Sequence, residues 1–240
     1  MKILILTTNT PHHNYFIRKI QDLCDQLFVV YETTSIIPVY PTYHPFEDLR
    51  ETFEKKLWGA KSFALDLATT PNVTCVENIN DITDLDYIYN GIDVCIVFGT
   101  RRIKTATIEI LPSITVNLHG GDPQLYRGLD SHLWALWHRD ILGLKTCLHH
   151  LHPQLDAGDI VAMKKLDISS LNDLSELRAL NTKACIELSR NFLDSLHIKN
   201  TIEGTRQEQV GRYYSFMPAD LKDVVVKTFA SNLRGLHNAI

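Results

Sequence analysis

Three side chains in this chain of 240 residues have the types and the spacing to move an acyl group: Asn117, His119 and Asp156. An amide can hold a carbonyl oxygen, and an imidazole can stabilise or protonate the oxyanion that forms there. A carboxylate can take up the proton that an attacking amine releases. The surrounding text is Asn117-Leu118-His119-Gly120-Gly121-Asp122, closing on Tyr126-Arg127-Gly128, with Leu155-Asp156-Ala157-Gly158 downstream. Taken singly these are weak signs. A lone asparagine often turns a strand end, a histidine is often a satisfied core residue, and Asp-x-Gly is commonly a plain turn.

The elements that must position these groups alternate between short apolar runs and longer amphipathic ones, the pattern of an α/β sheet with helices on its faces. Lys2–Thr8 reads as a buried first strand, followed by a helix carrying Tyr15 to Leu23. Strands are expected at Leu27–Tyr31, Val73–Val76 and Asp93–Phe98. The strand at Thr115–His119 puts Asn117 and His119 on one face at its carboxyl end, because alternate residues share a side. Residues 33–45 carry three prolines and two tyrosines and are expected to be irregular. Phe46–Leu67 reads as a long helix. Asp130-Ser131 is expected to cap a helix with Trp134 and Trp137, whose spacing of three suits a packing stripe. Leu144–His152 and Ile160–Ile168 are strand candidates and Asn172–Leu196 a closing helix. Residues 211–218 suggest a short extended segment before a final helix.

Two further stretches leave predicted strands where ligands bind doubly wound sheets. Phe98-Gly99-Thr100-Arg101-Arg102-Ile103 follows the central strand, and the plain alternative is a strand-to-helix turn. Thr8-Asn9-Thr10-Pro11-His12-His13-Asn14 leaves the first strand and opens a helix, whose free backbone amides favour an anion. This is not a Gly-x-Gly-x-x-Gly fingerprint, which disfavours a dinucleotide cofactor.

The ordered set Asn117-Leu118-His119, Tyr126-Arg127-Gly128 and Leu155-Asp156-Ala157-Gly158 resembles the N10-formyltetrahydrofolate-dependent formyltransferases over roughly residues 1–200. The loop departs from the family pattern, with Gly120-Gly121-Asp122-Pro123-Gln124 in place of Pro-Ser-Leu-Leu-Pro at the same length. The resemblance implies a Rossmann-like core, a mostly parallel twisted sheet with helices on both faces, over residues 1–200. Residues 201–240 would form a C-terminal extension. It implies N10-formyltetrahydrofolate as co-substrate, with Asn117 on the formyl oxygen, His119 on the tetrahedral intermediate and Asp156 as proton relay. Phe98 to Ile103 would line the folate pocket, Arg101 or Arg102 would meet the glutamate tail, and His149 is a further folate-side candidate. Thr8, Asn9, Thr10, His12, His13 and Asn14, with Gly120, Gly121, Asp122, Tyr126 and Arg127, would face the acceptor. Asp159 is read as structural.

Length separates the acceptors open to this chemistry. Methionyl-tRNA formyltransferases carry a second domain of roughly 100 residues, whereas about 40 follow the core here. Formyltetrahydrofolate hydrolases carry an amino-terminal regulatory domain, and here the first strand begins at residue 2. The nucleotide-sugar N-formyltransferases are the best match, acting on an amino-deoxysugar linked to GDP or dTDP for O-antigen or other surface glycans. The Gly120-Gly121 pair would admit a bulky acceptor, and the tyrosines of residues 33–45 would contact the nucleotide. Glycinamide ribonucleotide is the alternative acceptor. A non-catalytic folate or nucleotide binder is the alternative of another class, although such a protein needs no proton relay.

Composition supports an ordinary enzyme of one domain. A net charge of −4 and scattered basic pairs exclude a surface built to track nucleic acid. Small molecules, a nucleotide sugar and a folate, are the expected partners, with a homodimer as the expected assembly. Five widely spaced cysteines suit reduced thiols, with Cys75, Cys95 and Cys147 expected in buried strands. Cysteines and histidines lack zinc spacing, so no metal is expected. Met1 to Leu6 is too short for a signal peptide, and no segment approaches the ~20 apolar residues of a membrane span, so the cytoplasm is the expected location.

Overall fold

A computed structural model describes residues 1–59, 72–85, 91–199 and 202–237. The central feature is a seven-stranded sheet. Its strands are β1 (Lys2–Thr8), β2 (Gln26–Glu32), β3 (Val73–Val76), β4 (Val94–Phe98), β5 (Thr115–His119), β7 (Lys145–His150) and β8 (Ile160–Lys165), in the order β3-β2-β1-β4-β5-β7-β8. The first five strands of that order are parallel. β7 runs antiparallel to β5, and β8 antiparallel to β7. The expected mostly parallel α/β sheet is therefore the observed one.

Strand alternation feeds two cores. Ile3 and Ile5 of β1 face helix α1 (Pro11–Gln21) through Phe16, Ile17 and Ile20, and face helix α5 (Leu177–Lys199) through Cys185, Leu188 and Phe192. Leu4 and Leu6 face the opposite side and pack with Val97, Ile103 and Leu111. A 3₁₀ turn at Ile79–Asp84 covers them through Ile79 and Ile82. All four β1 side chains are fully buried, each worth about 1.5–3 kcal/mol, so β1 cannot slip register without exposing one core or the other.

The chain returns across β1 between β2 and β4. The carboxyl ends of β1, β4 and β5 thus open on one crevice, with α1 starting immediately beyond β1. Helix α2 (Phe46–Trp58) packs on α1 and on the turn at Leu174–Glu176 that leads into α5. The helix expected to reach Leu67 is described to Trp58, and residues 60–67 lie outside the described residues.

A third cluster joins α4 (Ser131–Trp137) to α6 (Ala219–His237) through Leu133, Leu136, Val225 and Phe229. The tail enters this unit as strand β9 (Arg212–Tyr214), which pairs in parallel with β6 (Tyr126–Gly128). Trp134 stacks on Tyr214 and donates from Nε1 to the Ser215 carbonyl at 2.9 Å, so the tryptophan stripe is packing. Asp130 does not cap α4 with its side chain. It adopts φ 51°, and its Oδ2 accepts from the Met217 amide at 2.8 Å, tying α4 to the tail. Cys95, Cys147 and Cys185 are buried free thiols, whereas Cys75 is exposed because β3 is an edge strand.

Candidate active site

Strand register builds the site. In the β5–β7 pair Asn117 stands opposite His149, and His119 opposite Cys147, so all four side chains share one face at the end of the sheet. The turn between β7 and β8 then returns Asp156 to them. Asp156 adopts φ 51°, a left-handed backbone that asparagine and aspartate tolerate best among residues with a side chain. Two residues later Gly158 lies so close to the His150 carbonyl that an added Cβ would sit 1.8 Å from it, and only glycine fits.

The Asp156 carboxylate is the hub. Its Oδ2 accepts from the Gly128 amide at 2.8 Å and lies 3.6 Å from His119 Nδ1. Its Oδ1 accepts from Asn117 Nδ2 at 3.4 Å and lies 3.6 Å from His149 Nε2. Burial alone would raise its pKa. The imidazoles of His119 and His149 and the Gly128 amide outweigh burial and hold it at about 2. Asp156 is therefore a carboxylate at neutral pH.

Hydrogen bonds fix the ring tautomers. His149 Nδ1 donates to its neighbour's carbonyl, that of His150, at 2.8 Å; its Nε2 accepts from Asn117 Nδ2 at 3.1 Å when the ring is neutral and faces Asp156 as a donor when the ring is protonated. His119 Nε2 donates to the Tyr126 carbonyl at 2.8 Å, so its Nδ1 faces Asp156. A proton can pass between His119 and Asp156 through that atom. Cys147, beside His119, is no nucleophile, because burial pushes its thiol pKa up. The site suits direct acyl transfer without a covalent intermediate on the protein.

The site forms the floor of a cleft of about 420 Å³. One wall is the loop after β4, and Phe98, Gly99, Thr100, Arg101, Arg102 and Ile103 all line it. Gly99, at φ 80°, packs against His13 so closely that a Cβ would lie 2.4 Å from its Nε2. Arg101 is engaged within the protein. It pairs through Nε with the buried carboxylate of Glu32 and donates from Nη2 to the Thr34 carbonyl at 2.7 Å. Arg102 donates from Nε to the Pro153 carbonyl at 2.9 Å. His149 lines the cleft and is 1 % exposed, with its Nε2 3.1 Å from Asn117 Nδ2 and 3.6 Å from Asp156 Oδ1.

The acceptor candidates divide. His12, His13 and Gly120 line the cleft, while Thr8, Asn9, Thr10 and Asn14 do not. Thr8 and Thr10 hold His13 Nδ1 at 2.9 and 2.8 Å, and Asn9 bonds Asn14, which accepts from the Tyr31 hydroxyl at 2.7 Å. Burial, followed by Arg178 nearby, brings the His13 pKa down to about 3, so this ring is neutral at pH 7.

Gly121 is buried, and a Cβ there would lie 2.8 Å from Ser131 Cβ and 2.9 Å from His119 Nε2. That glycine makes room for the imidazole, so of the pair read as open acceptor space Gly120 alone faces the cleft. Asp122 does not line the cleft. It accepts from the Gln124 amide at 3.0 Å and from Lys145 Nζ at 2.8 Å, so it secures the loop. The Tyr126 hydroxyl meets Asp140 at 3.0 Å, and Arg127 is buried below the loop. Of residues 33–45, Ile36 lines the cleft. Tyr40 instead donates to the Phe216 carbonyl at 2.7 Å, and Tyr43 donates to Asp48.

Several lining residues escaped the sequence reading. Arg178 of α5 forms two 2.7 Å hydrogen bonds to Glu54 of α2, whose side chain is fully buried. Arg50, one helical turn before Glu54, lies over the Phe46 ring. Its Nε finds no hydrogen-bond partner among the described residues. Burial, then Arg178, lowers its pKa. His132 beside Gly120 is held neutral by burial, with its pKa near 4. Arg50 and Glu54 fall in the stretch read as a long helix, and no local signal ties them to Arg178, 124 residues beyond Glu54. No group of histidine, cysteine, aspartate and glutamate suited to a metal ion occurs among the described residues. No described helix is long and apolar enough to cross a membrane.

No protein-family model matches the sequence, and a search of curated proteins finds no match. Solved structures do match in fold. One is a likely sugar N-formyltransferase from Mycobacterium tuberculosis, 20% identical, covering 89% of this chain and 75% of its own, with a TM-score of 0.58. A second is the formyltransferase PseJ from Anoxybacillus kamchatkensis, in complex with UDP-4,6-dideoxy-4-formamido-L-AltNAc and tetrahydrofolate. It is 18% identical over 90% of this chain and 86% of its own, with a TM-score of 0.53. A third is the N-formyltransferase from Helicobacter canadensis in complex with folinic acid and dTDP-3-aminofucose, 15% identical over 90% and 71%, with a TM-score of 0.58. With a mostly parallel α/β sheet that brings an amide, an imidazole and a carboxylate together at the end of β5, this chain has the fold of the sugar N-formyltransferases.

Proposed function

We propose that this protein transfers the formyl group of N10-formyltetrahydrofolate to the amino group of a nucleotide-linked amino-deoxysugar. The observation that carries the reading is the meeting of Asn117, His119 and His149 on one ionised, buried carboxylate at the floor of an open cleft. The acceptor class is supported by the nucleotide sugars and folates bound in the fold neighbours. It is also supported by Arg50, a guanidinium lining the cleft with an unmatched donor, which suits a phosphate oxygen. The folate would lie along Phe98 to Ile103, where the chain offers an apolar wall and the Arg102 cation.

In the proposed mechanism the neutral amine of the sugar attacks the formyl carbon. The developing oxyanion is held by the Asn117 amide, whose 3.4 Å contact to Asp156 is the weaker of its two and the one a substrate oxygen replaces. His119 stabilises the same oxygen or passes its proton, with Asp156 balancing the ring's charge. The bond from carbon to N10 then breaks. The proton taken from the amine through Asp156 ends on N10, giving the formamide and tetrahydrofolate.

The test is a thermal-shift screen of nucleotides and nucleotide amino sugars, with and without 5-formyltetrahydrofolate, followed by a formyl-transfer assay on the hits. Stabilisation by a nucleoside diphosphate sugar, with formamide product, is the expected result. Stabilisation and turnover with glycinamide ribonucleotide instead would overturn the acceptor, and binding of a folate without any transfer would overturn the enzyme.

A further inference from the structure

We propose that Gln207, carried to the site by the C-terminal tail, is a positioning residue that sets where the Asp156 carboxylate points. Gln207 Nε2 donates to the Asp156 carbonyl at 2.9 Å and to the Gly158 carbonyl at 2.8 Å, bracketing the turn from both sides. Its Oε1 accepts from Arg127 Nη2 at 2.6 Å, and Arg127 Nε donates to the Pro123 carbonyl at 2.9 Å. One side chain thus joins the turn that carries Asp156 to the loop that follows His119.

The neighbouring tail is stitched to the same two segments. Thr205 and Ile160 exchange amide hydrogen bonds at 2.7 and 2.8 Å, and the Glu208 amide donates to Gln124 Oε1 at 2.8 Å. Gly204 packs so tightly on this turn that a Cβ would lie 2.7 Å from Asp159 Cβ.

The turn needs this help. Asp156 is left-handed, a sparsely populated conformation that aspartate tolerates and that the surroundings must hold in place. Neither Asp156 nor Gly158 lies in a strand, so their carbonyls have no ladder partner. Gln207 supplies both with donors. With the backbone pinned, the carboxylate can meet the Gly128 amide at 2.8 Å while facing Asn117, His119 and His149. The Arg127 guanidinium that Gln207 holds lies within electrostatic reach of Asp156. A shift of about 1 Å at such a group is enough to cost on the order of 100-fold in rate.

The kinetic arm of the test rests on the formyl-transfer reading, whereas the spectroscopic arm does not. Gln207→Glu keeps the size of the side chain and the acceptor for Arg127, but sets an oxygen against two carbonyls. Gln207→Ala removes everything. Both are compared with wild type and with Asp156→Asn by ¹⁵N–¹H spectra at pH 7, reading the Gly128 amide and the Asn117 side-chain amide. The expected result is that both signals in Gln207→Glu move toward their Asp156→Asn positions, with kcat down about tenfold or more and both KM values within about threefold. Signals and kcat that stay at wild-type values in Gln207→Glu, with loss confined to the melting temperature of Gln207→Ala, would overturn the proposal and leave Gln207 a tail anchor. Should the wild-type protein prove inactive in every formyl-transfer assay, the function reading fails, and the two amide signals alone still decide the place of Gln207. Should Gln207→Ala not fold, Gln207→Glu carries both arms.

Discussion

At the floor of the cleft, Asn117, His119, His149 and Asp156 satisfy one another across 3.1–3.6 Å. At its rim, Arg101 and Arg178 each depend on a buried carboxylate from another element, Glu32 of β2 and Glu54 of α2. The floor is assembled mainly by the register of two adjacent strands and the turn that follows them, which the tail pins from outside. The rim is assembled by helices and loops far apart in sequence, and its charges are balanced in pairs that a substrate could meet only in part. Arg50 stands out there because its Nε is left without a match among the described residues. Precision at the floor suits transition-state chemistry, and a partly matched cation at the rim suits recognition of an anion.

That contrast can be broken at each end. The largest effect is expected at the floor: Asn117→Ala or His119→Ala should lower kcat by about 100-fold or more while folate binding, measured by calorimetry, stays near wild type. Loss of binding with unchanged kcat would show the floor to be a recognition surface instead. At the rim, Glu54→Ala strips the fully buried partner from Arg178 and should destabilise the fold by about 3 kcal/mol, read from denaturant unfolding. A change below 1 kcal/mol would mean that solvent already screens the pair.

The third expectation concerns pH. Asp156 has a folded-state pKa near 2, below the ~3.9 of an unfolded aspartate. Its ionised form therefore adds stability that is fully present above about pH 5 and is lost as the pH falls toward 2. The gap corresponds to about 2–3 kcal/mol. Unfolding measured at pH 7 and pH 3 should show wild type losing stability that Asp156→Asn does not lose, and equal losses would mean the carboxylate is not held as described. The smallest effect is expected for Arg50→Gln, which should raise KM for the nucleotide sugar about tenfold with kcat retained. A fall in kcat instead would draw Arg50 into the floor.

Much of this was legible in the residues. β1 falls on the run read for it, because a strand buried on both faces leaves a continuous apolar stretch, and β3 falls on its run although it is a partly exposed edge strand. Asn117 and His119 could be placed on one face at a strand end from alternation alone, and Asp156 could be named from the Leu-Asp-x-Gly text. The strands read as Leu144–His152 and Ile160–Ile168 end earlier, at His150 and Lys165. The sharp turn around Asp156 and Gly158 takes the chain out of the ladder. Gly120 lines the cleft as read, whereas Gly121 does not. A glycine facing a ligand and a glycine facing a packed imidazole look alike in sequence, and only the neighbours of Gly121 tell them apart. Asp122, Tyr126 and Arg127 sit in a motif loop, yet their side chains turn inward to Lys145, Asp140 and Gln207.

The sequence alone determined the periodicities, and with them the α/β sheet, the strand end that bears the amide and imidazole, and the order of the reacting groups. The tertiary structure decided which side chains face those groups. His149 comes from strand pairing, Arg50 and Arg178 from helix packing, and Gln207 from a tail that returns 51 residues after Asp156. Local propensity acts within one turn or one strand, so it can place a residue on a face. Contacts between distant segments depend on how whole elements pack, and no local pattern records them.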